Sequence, residues 1–358
     1  MNDRNCGAHG VDLDLEYRSF SLDLERPLRT ADETIDSRDG FLVRLVDADG
    51  SVGYGEATPL PGWTESKDEC DAALQAACEA LDSGTTADAL DAVDRSSAAR
   101  HALTLAIADH DATREATPLY RHLGDGPLVG RVPVNATVGD GTPSETAAAV
   151  HDAVDRGFDV CKVKVGRRDV DADVDRLRRV RETIGSAVDL RVDANGAWTV
   201  GEAETAISAF DDLGVSMAEQ PLPAGALEGH AALRGTDVAI ALDEGLLEHG
   251  VDSICDAEAA DAVVLKPMAL GGIDVARQVA AWVTELGITP VVTTTIDGVV
   301  ARTGAVHLAA AIPDVPACGL ATGELLADDL GRDPVLLENG SAVVPQAKGL
   351  GVEGVWDE

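Results

Sequence analysis

The sequence predicts an α/β protein with a smaller α+β region in front of it. From residue 132 onward, short apolar segments recur about every 25 residues. Amphipathic helical patterns, several of them ending in glycine, lie between these segments. About eight strands that alternate with helices indicate a parallel sheet, which is either a (β/α)8-type barrel or an open doubly wound sheet.

The N-terminal part has a different pattern. The stretches VDLDLEYRSFSLDL and GFLVRLVDADGSVGYGEA alternate like antiparallel strands, and helical patterns follow near residues 65–82 and 96–116. We therefore predict an α+β domain at 1–128 and the parallel α/β domain at 129–325. The remaining segment, 326–358, is too short to form a domain and is expected to pack back against the first one.

The strands predicted for the α/β domain are apolar segments that end in polar residues. They are residues 132–138, 160–165, 189–195, 215–221, 238–244, 262–267, 290–295 and, more weakly, 317–322. No GxGxxG motif follows the first of them and no GxxxxGK[ST] motif occurs, so the nucleotide-binding forms of such a sheet have no support.

Composition limits the partners of the protein. A formal net charge of −36 argues against nucleic acid and against an anionic membrane surface, because phosphate binding needs clustered Lys and Arg. The acidic residues are spread along apolar-patterned segments, which is typical of adaptation to a salty cytosol, and we predict a halophilic protein. The chain has no run of about 18 apolar residues and no apolar leader, so we expect a cytoplasmic protein. Its six cysteines are scattered, as expected of reduced thiols.

Acidic side chains end three consecutive predicted strands. They are Asp193, Glu219 and Asp243. The carboxyl ends of parallel barrel strands converge, so these carboxylates would repel one another unless a cation lay between them. An all-oxygen set favours Mg²⁺, for which Mn²⁺ can substitute.

Lysines are expected on both sides of these carboxylates. Only five of the 28 basic residues are lysines, yet Lys162 and Lys164 share one face of a strand, and Lys266 ends another. Two adjacent ammonium groups lower the pKa of one of them. Such a lysine can remove a proton from the carbon next to a carboxylate while the metal neutralises the developing enediolate. Taken singly, a strand-end Asp could be a helix cap, KVK could protect an edge strand and Lys266 could extend to the surface. Because these residues lie at equivalent positions on five consecutive predicted strands, the functional interpretation is favoured.

The same positions carry a resemblance to a known family. The motifs KVK (162–164), DANGAW (193–198), EQPL (219–222), ALDEG (241–245) and LKPMALGGI (265–273) resemble the muconate-lactonizing-enzyme-like branch of the enolase superfamily. The resemblance covers nearly the whole chain. It implies a modified (β/α)7β TIM-like barrel, a capping domain at 1–128 and a C-terminal segment that returns to the cap.

The resemblance also implies roles for residues. Asp193, Glu219 and Asp243 would be the Mg²⁺ ligands. Lys164 would be the acid/base residue, Lys162 its pKa-lowering neighbour, and Lys266 would face the substrate from the opposite side.

Other residues would support the site or bind the substrate. Arg191, Asn195 and Glu244 are expected to be supporting residues, with Arg191 meeting a substrate carboxylate. Thr294 and Thr295, in the run TTT, would offer free hydroxyl and backbone NH groups to an anionic carboxylate.

Within this branch the motifs favour the o-succinylbenzoate synthase family. The segment GYGEATPLPGWTES (53–66) is similar to that family's cap segment, with Trp63 in place of the usual Phe, and GLATGELL lacks the DxD motif of dipeptide epimerases. The implied activity is a lyase: syn-dehydration of 2-succinyl-6-hydroxy-2,4-cyclohexadiene-1-carboxylate to 2-succinylbenzoate in menaquinone biosynthesis. The alternatives are an N-acylamino-acid racemase or dipeptide epimerase and, with less support, a muconate-type cycloisomerase or a non-catalytic binding barrel.

Overall fold

The computed structural model describes residues 13–29, 34–124 and 126–356. Its N-terminal part, the cap, begins with a three-stranded antiparallel sheet in the order β1-β2-β3. Four helices follow the sheet. The strands are β1 (Leu13–Arg29), β2 (Thr34–Asp47) and β3 (Val52–Ala57), and the helices are α1 (Lys67–Ser83), α2 (Thr86–Val93), α3 (Ser97–Arg114) and α4 (Leu119–Leu123).

Close packing of β3 against α3 explains the glycines of the GYGE motif. A Cβ atom on Gly55 would lie 1.8 Å from the backbone oxygen of Ala102, and one on Gly53 would lie 2.1 Å from that of Ala106. Only glycine lets the strand approach the helix this closely. As a result, the strand that carries Glu56 is held rigidly on the cap helices.

The second part of the chain alternates strands and helices. Its strands are β4 (Arg131–Pro133), β5 (Ala136–Val138), β6 (Val160–Lys164), β7 (Asp189–Asp193), β8 (Val215–Glu219), β9 (Ala239–Leu242), β10 (Ala262–Leu265) and β11 (Thr289–Val292). Its helices are α5 (Pro143–Asp155), α6 (Val170–Ile184), α7 (Val200–Asp212), α8 (Leu227–Leu233), α9 (Glu244–Asp256), α10 (Pro267–Leu270), α11 (Ile273–Glu285) and α12 (Val299–Ala311). Reciprocal hydrogen bonds of the S/T-x-x-E type begin α5 at Thr142 and α7 at Thr199.

The seven parallel strands β5 to β11 form one sheet in unbroken sequence order. A doubly wound sheet would reverse its order at a switch point, so the barrel alternative is the correct one. The sheet curls until its two edges meet the same segment: Cys318 forms a bridge with Val134, and Gly319 forms one with Thr293. The predicted eighth strand, 317–322, is thus reduced to isolated bridge residues. The predicted α/β barrel with an N-terminal cap is confirmed.

The predicted first strand, 132–138, is divided in two. β5 belongs to the barrel, whereas β4 pairs with β13 (Ser341–Val343), which in turn pairs with β12 (Leu337–Glu338). A 3-10 helix, η1 (Gly323–Leu325), precedes them. The C-terminal segment therefore contacts the first strand of the barrel region as well as the cap, where the backbone NH of Leu119 donates to Gly349 O. The domain boundaries after residues 128 and 325 stay predictions.

Two cap side chains reach into the mouth of the barrel. Glu56 is fully buried and accepts hydrogen bonds from the backbone NH groups of Gly298 (2.6 Å) and Ala301 (2.9 Å), at the start of α12. Arg38 donates to Ile296 O and to Thr58 O. These contacts fix the cap over the carboxyl ends of the strands.

Two smaller findings complete the fold. Within the described residues, no helix combines the length and the apolar character that crossing a membrane requires. Cys70, Cys78, Cys161, Cys255 and Cys318 are free thiols. Cys6, counted among the cysteines above, lies outside the described residues.

Candidate active site

The parallel register brings the predicted site residues to one level of the barrel. Lys164 on β6 pairs with Asp193 on β7, which pairs with Glu219 on β8. Asp243 directly follows β9, and Lys266 directly follows β10. Since β6 and β10 are four strands apart in the curled sheet, their lysines approach from opposite sides, with the three carboxylates on the strands between them.

The two lysines of β6 share one carboxylate. Lys162 Nζ lies 2.7 Å from both carboxylate oxygens of Glu219 and 3.2 Å from Asp193 Oδ2. Lys164 Nζ lies 2.6 Å from the same Asp193 oxygen and 2.7 Å from Asn195 Oδ1. Alternation along the strand thus places both ammonium groups on the barrel side, while Val163 is buried on the other. The Lys164 side chain is 36% exposed and can be reached from the mouth.

Lys266 and Asp243 form the opposite side of the mouth. Lys266 Nζ lies 2.5 Å from Asp243 Oδ2. The other carboxylate oxygen, Asp243 Oδ1, is buried and has no hydrogen-bond partner among the described residues. Gln220 positions this segment, because its Oε1 accepts from the backbone NH groups of Asp243 and Gly245, both at 3.0 Å.

Burial and charge shift the titration of this cluster. Burial raises the pKa of Glu219 to about 8, helped by Asp193 and Asp243; the ion pair with Lys162 opposes this but offsets only part of it. Burial also disfavours the charged form of Lys162, but the carboxylates of Glu219 and Asp193 outweigh this and hold its pKa above the usual range. The pKa of Asp193 lies well below its usual range, because Lys162 and Lys164 outweigh its burial.

The donor set suits a hard divalent cation. Three buried carboxylates on consecutive strands supply only oxygen ligands, and Asp243 Oδ1 lacks a partner among the described residues. As the side chains stand, no three His, Cys, Asp or Glu side chains of the described chain have the spacing of a preformed metal site. The lysine ammonium groups bind these carboxylates instead, so a cation would compete with Lys162 and Lys266 for their oxygens.

The predicted supporting residues differ in where they point. Asn195 accepts from Lys164 and donates from Nδ2 to Glu244 Oε1 at 3.2 Å, so it links Lys164 to Glu244. Its positive φ of 45° is a conformation that Asn tolerates better than most residues. Glu244 Oε2 is buried without a partner among the described residues, and burial raises the pKa of Glu244.

Arg191 lies one layer deeper, opposite Lys162 in the strand register. It donates to Ala317 O (2.8 Å) and to Asp189 Oδ2 (3.3 Å), and it is buried. The bond to Ala317 joins β7 to the closing segment of the barrel, and the bond to Asp189 lies within β7. They give the side chain a structural role and lend no support to a contact with a substrate carboxylate.

The threonine run is already hydrogen-bonded within the protein. Thr294 Oγ1 lies 2.9 Å from Thr322 Oγ1, and Thr295 Oγ1 donates to Asp297 Oδ1 at 2.5 Å. The expectation of free hydroxyl groups at Thr294 and Thr295 is therefore wrong. The reason is that these hydroxyl groups fix the segment after β11, where Thr294 Oγ1 also accepts from the backbone NH of Ile296.

Two residues at the site were given no role from the sequence. Trp63, from the cap, places its ring 3.4 Å from Lys266 Nζ, and Gln220 braces the backbone of Asp243. Trp63 belongs to the cap segment that resembles a known family, but a ring-to-lysine contact across two parts of the chain has no local sequence signal. For Gln220 the only signal is its place next to Glu219 in EQPL.

The fold and this mouth define a class of protein: a capped parallel α/β barrel whose strand ends carry an acidic cluster flanked by lysines. Residues 145–358 match the family described as "Enolase C-terminal domain-like". The chain belongs to the enolase superfamily, in its muconate-lactonizing-enzyme-like branch. The resemblance seen in the sequence is thus confirmed.

Three relatives illustrate the range of this branch. A substrate-liganded L-Ala-D/L-Glu epimerase from Bacillus subtilis superimposes with a TM-score of 0.88 at 28% identity, covering 96% of this chain and 99% of the other. A dipeptide epimerase from Methylococcus capsulatus, complexed with Mg and the dipeptide L-Arg-D-Lys, gives 0.85 at 29% identity, covering 94% and 98%. The o-succinylbenzoate synthase of Thermobifida fusca (strain YX) is 34% identical over 329 residues, which cover 90% of this chain and 85% of that protein.

Proposed function

We propose that this protein removes the α-proton of a small carboxylate substrate, with Lys164 as the base. The observation that carries this proposal is the position of Lys164 and Lys266 on opposite sides of three buried carboxylates. Lys164 is oriented by Asp193 and Asn195 and is open to the mouth. The amine takes the proton directly from the α-carbon, and Asn195 keeps its Nζ at the level of the carboxylates.

Asp193, Glu219 and Asp243 would hold Mg²⁺, or Mn²⁺ in its place. The ion would neutralise negative charge that develops on the substrate carboxylate when the α-proton leaves. Lys162 remains an ammonium group, because Glu219 and Asp193 hold its pKa above the usual range.

The comparisons favour an isomerase over the dehydratase that the motifs indicated, since the B. subtilis and M. capsulatus relatives are epimerases. In an epimerase or racemase, Lys164 removes the α-proton from one face and Lys266 returns a proton to the other, which inverts the carbon. Both lysines are present and lie on opposite strands. This is the first candidate.

The substrate of such an isomerase would be N-acylated. Residues 319–322, at the closing segment of the barrel, read GLAT and carry no carboxylate that could bind an α-ammonium group. The next carboxylate, Glu324, forms an ion pair with Arg156 in which both side chains are about half exposed. An N-acylamino acid has no α-ammonium group to satisfy, so it suits this mouth better than a dipeptide with a free amine.

A dehydratase of the o-succinylbenzoate synthase type is the second candidate. Its support is the cap segment GYGEATPLPGWTES and the higher identity, 34%, to the T. fusca protein. Here Lys164 would remove the α-proton and then donate it to the departing hydroxide, so that water is lost. Lys266 would act only as a cation.

A single set of assays separates the candidates. In molar KCl with Mg²⁺, the cyclohexadiene carboxylate substrate is followed by the ultraviolet change on aromatisation. In parallel, α-deuterium incorporation from D₂O is measured for N-succinyl amino acids and for Ala-Glu dipeptides. Exchange without aromatisation supports the racemase, and aromatisation supports the dehydratase. If the wild type shows neither reaction with either substrate class, the proposal is contradicted. The Lys164→Ala variant, which should show neither, is the control.

A further inference from the structure

The cap contributes an aromatic ring to the lysine on the far side of the mouth. Trp63 belongs to the turn after β3, and its ring centroid lies 3.4 Å from Lys266 Nζ. An ammonium group within about 6 Å of a ring face is attracted to it, and Trp is the strongest such partner. The contact joins a cap residue to a lysine that follows a barrel strand.

The turn that carries Trp63 is held by its own hydrogen bonds. The backbone NH groups of Trp63 and Thr64 both donate to Leu60 O at 2.9 Å, and Thr64 Oγ1 accepts from Leu60 NH at 2.8 Å. The next residue, Glu65, accepts from the NH groups of Ala98 and Ala99 at the start of α3. The ring is therefore presented by a braced turn on the cap helices.

Among the described residues, Lys266 Nζ has one hydrogen-bond partner, the carboxylate of Asp243 at 2.5 Å. A cation held by Asp243 would compete with Lys266 for that carboxylate, whereas the ring of Trp63 would remain. The ring also packs beside Lys266 together with Leu247, Ala269 and other mainly apolar residues. The Lys266 side chain is only 11% exposed as a result of these contacts.

We propose that Trp63 is a positioning residue that holds the amine of Lys266 at the wall of the mouth opposite Lys164. The proposal rests on the proposed function, in which the two lysines act on opposite faces of the substrate. Trp63 should then matter for the reaction on the Lys266 face and not for proton removal by Lys164. Through Trp63, the cap would affect the reaction on one face of the substrate.

The contact itself can be tested without any substrate. The chain has five lysines, so acylation by a dilute amine reagent can be followed at each of them by peptide mass spectrometry. In two variants with a smaller side chain, Trp63→Leu and Trp63→Met, Lys266 should be acylated about 2- to 30-fold faster than in the wild type. This range corresponds to the free energy of a lost cation–π contact. Trp63→Phe should lie between. Trp282→Leu, a half-exposed site on α11, is the matched control, and Lys67 is the internal reference.

The second test uses the two enantiomers of an N-succinyl amino acid in D₂O. Lys266→Ala first identifies the enantiomer whose α-proton faces Lys266. Trp63→Leu should slow deuterium exchange from that enantiomer by about 2- to 30-fold and leave exchange from the other within about 2-fold. Trp63→Phe should restore most of the loss.

Either test can overturn the proposal. If Lys266 is acylated at the wild-type rate in both Trp63→Leu and Trp63→Met, the ring does not hold the amine. Equal loss from both enantiomers, or no loss from either, would show that Trp63 has no face-specific role. If the wild type neither exchanges α-protons nor forms an aromatic product, the proposed function fails, while the acylation rates still decide whether Trp63 covers Lys266.

Discussion

Lys164 and Lys266 differ in their surroundings although both are lysines at strand ends. Lys164 is 36% exposed and contacts Asp193 and Asn195, whereas Lys266 is 11% exposed and lies between Asp243 and the Trp63 ring. The first arrangement suits a base that must reach the substrate. The second suits a group that is held in one place.

Lys164→Ala is expected to lower kcat by about 10²- to 10⁴-fold, because the variant lacks the group that takes the proton. Mg²⁺ affinity should be unchanged or higher, since one ammonium group that competes for Asp193 is removed. Steady-state kinetics and calorimetric Mg²⁺ titration measure the two effects. Lys348→Ala, an exposed lysine far along the chain, should behave like the wild type. A Lys164→Ala enzyme with unchanged kcat would eliminate Lys164 as the base.

Gln220 offers a second prediction for a single residue. Its side chain is fully buried and accepts from two backbone NH groups that flank Glu244. Gln220→Leu should cost about 1–3 kcal/mol of unfolding free energy for each NH group left unpaired. Mg²⁺ affinity should also fall, by about 10- to 100-fold, because the backbone of Asp243 loses its brace.

Urea unfolding and calorimetric Mg²⁺ titration in KCl measure these two quantities for Gln220→Leu. Gln278→Leu, at an exposed position of α11, is the control for the substitution itself. Wild-type affinity in Gln220→Leu would show that this brace does not position Asp243.

At the scale of elements, the contact between β3 and the start of α12 holds the cap on the barrel. Glu56 of β3 is fully buried, and burial raises its pKa to about 7, with the charge of Asp297 adding to the effect. Hydrogen bonds from the backbone NH of Ala301 and the hydroxyl of Thr58 oppose this rise but do not cancel it. The carboxyl group is therefore a pH-sensitive part of the interface between the two regions.

Glu56 should make stability depend on pH between about 4.5 and 7. Below this range both the folded and the unfolded chain hold the proton, so the stabilisation is fully present. As pH rises, the unfolded chain loses the proton first, and the folded state loses up to about 3 kcal/mol relative to it. Unfolding free energies measured across this range should fall less steeply in Glu56→Gln than in the wild type. Glu79→Gln, an exposed carboxyl group on α1, should keep the wild-type slope. If the free energy of unfolding depends on pH in the same way in the wild type and in Glu56→Gln, Glu56 is not the group responsible.

At the scale of the whole molecule, the charge of −36 is the dominant property. Screening between exposed charges acts over about 30 Å at 0.01 M salt and about 3 Å at 1 M. Self-repulsion therefore destabilises the compact chain at low salt, and we propose that the protein is halophilic.

Dialysis from molar KCl into millimolar salt should lower the unfolding temperature and abolish activity. Return to molar KCl should restore both properties, provided that the unfolded chain has not aggregated. Differential scanning calorimetry follows the transition. Sucrose at equal osmolality provides the control, because it is excluded from the protein surface but screens no charge. A transition that does not move with KCl would refute the halophilic proposal.

Three features could be predicted from the sequence: the alternation of strands and helices, the register of the polar residues at the strand ends, and the family. Each of these depends on local periodicity: alternation in β6 places Lys162 and Lys164 together, and consecutive parallel strands place Asp193, Glu219 and Asp243 at one level. It could not determine that Thr294 and Thr295 are already bonded, that Arg191 bonds to Ala317, or that Trp63 covers Lys266. The bond from Thr295 to Asp297 is local. The other contacts join residues far apart in the chain, and only tertiary packing brings their side chains together.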